Sequence, residues 1–308
     1  GAPDTDLPAQ ALGFRVQGYG MTKHRHLFTA RQLVALTTLT DLVGEIRGRV
    51  VSDARQAGRE ESGRRLAEGG TGAVAYADAV VTYLAFAVDR MADRHSSLTR
   101  WDPNPSGYAP KIANTFARQT LSMVWDFTEG NPFSESTGNL GDAVEWVAKV
   151  VQTLPAAGSA SVDQLDAAMA SRPGPALVST DPPYYDNIGY ADLSDFFYVW
   201  LRRSMGSVYS ELSSTVLVPK APELVANPYR FDGDQRKAEE FFEQGLGRAF
   251  ERIRAAGHPE LPISVFYAFK QSEDEHSGAI ESGAQTASTG WETMLEGLLK
   301  AGFLVTGT

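Results

Sequence analysis

The chain has 308 residues, with 28 basic and 38 acidic side chains, a formal net charge of −10 and no cysteine; 43% of it is apolar, 10% aromatic and 21% charged. That length suits one large or two ordinary domains with a real core, and the composition excludes disordered and fibrous classes. The absence of cysteine excludes a disulfide scaffold, a thiol nucleophile and cysteine-ligated zinc or iron–sulfur within these residues, and the acidic total argues against a protein that binds polyanions over its whole surface.

Residues 1–20 read as irregular and rich in proline and glycine. From Thr29, a plausible N-cap, Leu33, Val34, Leu36, Leu39, Leu42, Val43 and Ile46 recur at helical spacing. A polar stretch, Gly58 to Gly72, leads to a second apolar helix over Ala73–Met91. Its Gly69-Gly70-Thr71-Gly72 opening reads as a helix lead-in rather than a phosphate cradle, because no strand precedes it. Further helices are predicted over Ile112–Trp125, Gly141–Leu154 and Val162–Ala170. After Pro175 the grammar changes. Residues 175–180 read as a buried strand, Leu193–Arg203 as an aromatic helix and Gln235–Ala256 as a long amphipathic helix. Leu261–Phe269 reads as a second strand, Trp291–Ala301 as a helix stopped by Gly302, and Phe303–Thr306 as a third strand. Strands alternating with helices predict an open α/β sheet. The expected organisation is a mainly helical region over 1–170 and a partial α/β domain over 171–308.

Charge is unevenly spread. Residues 1–100 carry 13 basic and 11 acidic side chains, 101–200 carry 4 and 12, and 201–308 carry 11 and 15. A polyanion would approach near Arg47, Arg49, Arg55, Arg59, Arg64 and Arg65, although such a run is also what a solvated helix face looks like. The longest apolar stretch, Ala73–Val88, is interrupted by Asp78 and falls short of the ~20 residues a membrane span needs. With no basic-then-apolar start, a cytoplasmic protein without a membrane partner is expected. Gly1 in place of methionine suggests a part of something longer.

The sharpest chemical signal is Asp181-Pro182-Pro183-Tyr184, directly after a predicted strand. In open α/β sheets, ligands gather at the carboxyl ends of strands. Two prolines fix φ and supply no backbone donor. Asp181 adds a carboxylate acceptor and Tyr184 a flat face. Such a set suits an amino group on a planar heterocycle, as in enzymes that act on a base drawn out of the duplex. Tyr185, Asp186 and Asn187 are candidates to line the same pocket, with a polar helix entry as the competing reading, and Tyr190, Phe196, Phe197, Tyr198 and Trp200 are candidates to stack on a base, with an aromatic core helix as the competing reading. Asn131-Pro132-Phe133 and Asn227-Pro228-Tyr229 lack the second proline and read as turns. His24, His26, His95, His258 and His276 show no metal-ligand spacing beyond one His-x-His, so no metal site is expected.

The tetrapeptide resembles the amino-methyltransferase signature [Asp/Asn/Ser]-Pro-Pro-[Tyr/Phe]. Its context, Asp181 through Arg202, resembles the large adenine-specific DNA methyltransferases of prokaryotic modification and anti-phage loci, whose members carry a zinc-ribbon-like segment. The likeness extends to residues 12–20, 27–33, 125–133 and 290–308. It implies a Rossmann-like methyltransferase sheet, here its C-terminal half. It also implies S-adenosylmethionine as cofactor, flipped DNA adenine as substrate, other defence proteins as partners, and a restriction-modification or phage-defence setting. Carried over, Asp181 and the Pro182 carbonyl hold the exocyclic amine and Tyr184 stacks on the base, with Pro183 completing the motif. Phe28 and Thr29 resemble the helix start that flanks the cofactor, beside Asp181; a capped helix is the competing reading. The glycine-rich cofactor loop and the zinc-ribbon cysteines of the family are not in the sequence, which implies that they lie N-terminal to Gly1. An amine of cytosine, RNA or protein is the alternative acceptor. A non-catalytic module binding nucleic acid or a partner is the alternative of another class.

Overall fold

The computed structural model of the chain describes residues 1–103, 107, 110–154, 158, 160–170, 174–185, 188–267 and 282–307, the stretch 282–289 as helical backbone. Among them the fold is mixed α/β and mostly helical, with two two-stranded sheets. Two compact units form: Gly1–Ala157 with Tyr190–Lys220, and Gly158–Gly189 with Ala221–Thr308. The sequence divides at 170/171, whereas the packing assigns the aromatic helix after the motif to the first unit.

In the first unit, α1 (Ala30–Gln56) starts at Thr29, whose hydroxyl accepts from Gln32 N–H while Gln32 Oε1 accepts from Thr29 N–H. This capping box satisfies donors that the first turn leaves orphaned. Leu36, Leu39, Thr40 and Val43 of α1 are buried, whereas Val34 and Leu42 are exposed, so the apolar stripe is narrower than the run suggests. α2 (Ala73–Ala92) buries Ala73, Ala75, Ala77, Ala85 and Ala87. Small side chains let neighbouring helices approach closely, and α2 packs on α1, on α3 (Leu140–Thr153) and on α4 (Tyr190–Met205). α4 supplies the aromatic core: Phe196 and Trp200, one turn apart and each 1% exposed, meet Phe28 at 5.3 and 5.2 Å between ring centroids. Phe116 closes on Phe196 at 5.1 Å. Phe196 and Trp200 are therefore core side chains, while Phe197 and Tyr198 are half-buried and Tyr190 is exposed.

Two predicted helices do not form. Within 112–125, Lys111–Ile112 (β2) instead pairs antiparallel with Trp101–Asp102 (β1). The donors a helix would need are bonded elsewhere: Thr115 N–H to Asp93 O at 2.7 Å, Phe116 N–H to Asp93 Oδ1 at 3.0 Å, and Leu121 N–H to Gly13 O at 3.2 Å. Within 162–170 only a turn at Asp166 forms, and Val162 is 96% exposed. With Leu165 and Met169 exposed as well, a short helix has little to hold it.

The second unit holds β3 (Ser179–Thr180) and β4 (Ser264–Val265), paired in parallel with Ser179 opposite Ser264 and Thr180 opposite Val265. α5 (Gln235–Ala256) begins at Asp234, which accepts from Lys237 N–H, and α6 spans Ser282–Lys300. Phe242, Leu246 and Phe250 of α5, Met294 and Leu298 of α6, and Tyr185 form the core, with Val265 and Tyr267 packed on it. The sheet is covered on one face: Val178 and Thr180 are half-buried, while Leu177 is 73% and Phe266 63% exposed. The strand at 175–180 is thus one-sided, not fully buried. Gly302 ends α6 as predicted, with φ 83° and a Schellman pair in which Gly302 N–H donates to Leu299 O and Phe303 N–H to Leu298 O. The third strand predicted at 303–306 forms no ladder among the described residues.

Candidate functional site

Asp181 leaves the carboxyl end of β3 with its side chain exposed, Pro182 is buried, Pro183 and Tyr184 are half-buried, and Tyr185 is buried. The two prolines stiffen this exit by fixing φ in succession. Tyr185 anchors it: the ring lies edge-to-face on Phe242 at 5.2 Å, and its carbonyl accepts from Ala226 N–H at 2.7 Å. With Tyr185 locked into the core, the Tyr184 ring meets Tyr267 edge-to-face at 5.6 Å and 89°. Tyr267 stands just past β4, donates its hydroxyl to Gly290 O at 3.3 Å and lies 6.3 Å from Trp291. Gly290 admits this closeness, since a Cβ there would sit 3.2 Å from Tyr185 Cβ. The carboxyl ends of both strands and the adjoining turns of α6 therefore converge on one aromatic cluster with an exposed carboxylate at its edge.

Sequence reasoning missed Tyr267 and its link to Gly290. Their signal was available: an aromatic residue at the carboxyl end of the second strand, opposite the motif at the end of the first.

The other candidates belong to the first unit or lie outside the described residues. Asp186 and Asn187 lie outside the described residues. Tyr190 opens α4 in the first unit and is 43% exposed. Phe28 is 6% exposed and its ring is committed to Phe196 and Trp200. Thr29 caps α1 and donates its hydroxyl to Glu129. Arg31 bonds the same carboxylate, and this pairing, followed by the Thr29 bond, holds Glu129 below the usual carboxylate range. The segments 27–33 and 125–133 thus meet at one ion pair. Glu129 occupies the end of α1 where an anion is electrostatically favoured.

The arginines of the first third have internal partners. Asp78, fully buried in α2, accepts from Arg47 Nε at 2.8 Å, Arg65 Nε at 2.7 Å and Leu66 N–H at 3.1 Å. Burial pushes its pKa up, but those donors outweigh it and the carboxyl sits below its ordinary value. Arg55 pairs with Glu61 at 3.4 Å, Arg49 lies 3.8 Å from Asp53, Arg64 bonds Glu68 O, and Arg59 covers the Tyr76 ring at 4.1 Å. Buried Asp195 of α4 accepts from Lys220 at 2.5 Å and Val218 N–H at 2.8 Å; burial still raises its pKa.

Asn131 and Asn227 accept through Oδ1 from Phe133 and Tyr229 N–H, both at 3.0 Å, so both Asn-Pro segments are Asx turns. Among the described residues no three His, Asp or Glu side chains are placed to hold a metal, and no helix is long and apolar enough to cross a membrane. Of the residues expected around S-adenosylmethionine, Phe28 has its ring in the core of the first unit, and Thr29 caps α1 and bonds Glu129. No family model, no curated protein and no solved structure matches this chain.

Proposed function

We propose that this chain supplies the amine-holding side of a DNA adenine amino-methyltransferase, within a Rossmann-like sheet of which β3 and β4 are two neighbouring strands. The observation that carries the reading is Asp181-Pro182-Pro183-Tyr184 leaving the carboxyl end of a parallel strand, its aspartate exposed and its tyrosine held by Tyr267. In this reading the Asp181 carboxylate and the Pro182 carbonyl accept the two N–H groups of the exocyclic amine, and the Tyr184 ring stacks on the extruded adenine. Fixing both N–H directions aims the nitrogen lone pair, and the carboxylate offsets positive charge developing on nitrogen. Methyl transfer is the chemistry S-adenosylmethionine supplies when bound; the residues described here act on the acceptor alone.

The test is amine discrimination. Single-stranded oligonucleotides carrying adenine, or purine without the 6-amino group, are titrated into the protein by fluorescence anisotropy. Adenine is expected to bind ~10-fold tighter, since acceptors left unpaired by the analogue cost ~1.4 kcal/mol or more. Asp181→Ala should erase the difference without unfolding the chain, because the side chain is exposed. Equal binding of both purines to the wild-type protein overturns the reading.

One observation favours a second reading, a non-catalytic module that docks a partner. α2 and α3 expose Phe86 (44%), Trp146 (54%) and Val150 (52%) around a shared groove of about 260 Å³. Amine discrimination lost in Asp181→Ala separates the two.

A further inference from the structure

A second groove, of about 700 Å³, lies in the second unit. One wall is residues 261–267, which include β4; the other is 303–307; Met294, Leu295 and Leu298 of α6 line it between them. No β3 residue contributes, so the groove lies on the side of β4 turned away from its partner. Ser264 and Phe266 donate to Val178 O and Thr180 O at 3.0 and 2.8 Å. Because backbone groups alternate along a strand, the N–H and C=O of Ile263 and Val265 point the other way, along the groove. The groove thus offers a strand edge, an apolar floor and a β-prone Phe303-Leu304-Val305-Thr306 wall that forms no ladder among the described residues. Leu304 is 83% exposed and Leu261 49%. Among the described residues one charged side chain lines it, Arg254, which donates to Ala301 O at 2.8 Å where α6 ends. No carboxylate is among the lining residues.

We propose that this groove takes a β-strand donated by another polypeptide chain, apolar at every second residue and carrying a carboxylate at the end beside Arg254. Backbone donors and acceptors repeating every second residue are matched by another backbone, the basis of recognition by strand addition. The apolar floor selects alternate apolar side chains, and the lone guanidinium selects the acid. A second copy of this chain offering its own β4 edge is disfavoured by the 303–307 wall, which bounds the groove on its far side. This inference goes beyond the amine-binding reading and stands without it.

The probe is a fluorescein-labelled peptide, Thr-Val-Thr-Val-Thr-Val-Glu, followed by anisotropy against the full chain. Saturable binding is expected, weakened ~10-fold or more when alternate amides are N-methylated, because the backbone bonds are then lost while the apolar surface stays. Replacing the terminal Glu by Gln should also weaken it. Val305→Asp, at an exposed wall position, should reduce binding in a chain whose unfolding midpoint is unchanged. Equal binding of the N-methylated peptide overturns the proposal in favour of a simple apolar pocket. Absence of binding at millimolar peptide overturns it outright. Self-association in sedimentation that Val305→Asp abolishes replaces the donor chain by a second copy.

Discussion

Gly302 meets two demands at one position. Its φ of 83° is one that side chains with a Cβ rarely adopt, and a Cβ there would lie 1.8 Å from Arg254 Nη1, the guanidinium that bonds Ala301 O. Gly58 shares the φ of 83° but a Cβ there meets nothing within 4 Å. Gly58→Ala should therefore cost only the left-handed penalty, about 1 kcal/mol, and Gly302→Ala clearly more, about 2–3 kcal/mol, because Arg254 must also move. Urea midpoints measure both. Equal losses would show that the guanidinium moves aside freely. At this scale the sequence made Gly302 and the Asp181 motif legible, since each is announced by neighbours in the chain. Tyr267 was not, because its meaning depends on a contact with Tyr184 made 83 residues away in sequence. Phe28 and Thr29 illustrate the converse. A motif-like stretch was consumed by ordinary work, a ring in the core and a hydroxyl on a cap.

Asp78 shows how elements are tied. It sits fully buried in α2, yet its two oxygens take donors from α1 through Arg47 and from the loop before α2 through Arg65 and Leu66. Breaking a buried pair from one side leaves charge uncompensated. Asp78→Asn should cost about 3 kcal/mol, the low end for buried pairs, because both arginines keep contact with water. The pH dependence follows in sign. The folded pKa is below the ordinary 3.8, so in acid the unfolded chain binds the proton first. The contribution is complete above about pH 5 and is lost as pH falls through 3.8 towards the folded value. Urea unfolding at pH 6 and pH 4 should show a steeper loss for the wild type than for Asp78→Asn; parallel losses would remove Asp78 from the acid response. The same logic separates the elements that were readable from those that were not. α1, α2 and α5 are long and periodic, and Thr29 and Asp234 cap α1 and α5, so local pattern and tertiary packing agree. The stretch 112–125 has apolar residues at helical spacing, but Asp93 and Gly13 claim its backbone groups, a competition that local sequence does not display. The parallel β3–β4 pair was foreseeable from the alternation of strand and helix, while its one-sidedness depends on what α5 and α6 cover.

At the level of the whole molecule, the first unit carries two buried histidines. His24 bonds Thr5 through Nδ1, near Asp195 and Lys220, and His95 Nε2 lies 2.7 Å from Gly138 O. Burial above all holds both below 6.5, so the unfolded chain takes their protons first. Stability from this source is complete above pH 6.5 and declines as pH falls below it, and the urea midpoint should drop between pH 7.5 and 5.5. A midpoint that holds steady would mean the histidines charge without cost. Electrostatics also bear on the encounter with DNA that the proposed function requires. The net charge is −10, and of the six arginines singled out in the first third Arg47 and Arg65 bond Asp78, Arg55 pairs with Glu61 and Arg49 lies 3.8 Å from Asp53, while Arg64 bonds the Glu68 carbonyl and Arg59 covers the Tyr76 ring. A guanidinium already paired releases little by contacting a phosphate, because one ion pair is exchanged for another. Non-specific duplex binding should therefore be weak and shallow in salt, since log K falls with log salt by ~0.9 per phosphate neutralised. Binding of a random duplex between 50 and 200 mM salt is expected to give a slope corresponding to about two phosphates or fewer. Removing the competing acids should then matter more than removing the bases. Glu61→Gln, which frees Arg55 at the exposed surface, should steepen the slope and leave the fold unchanged. A wild-type slope near six phosphates would show that these pairs open readily, and that the first unit is a DNA surface after all.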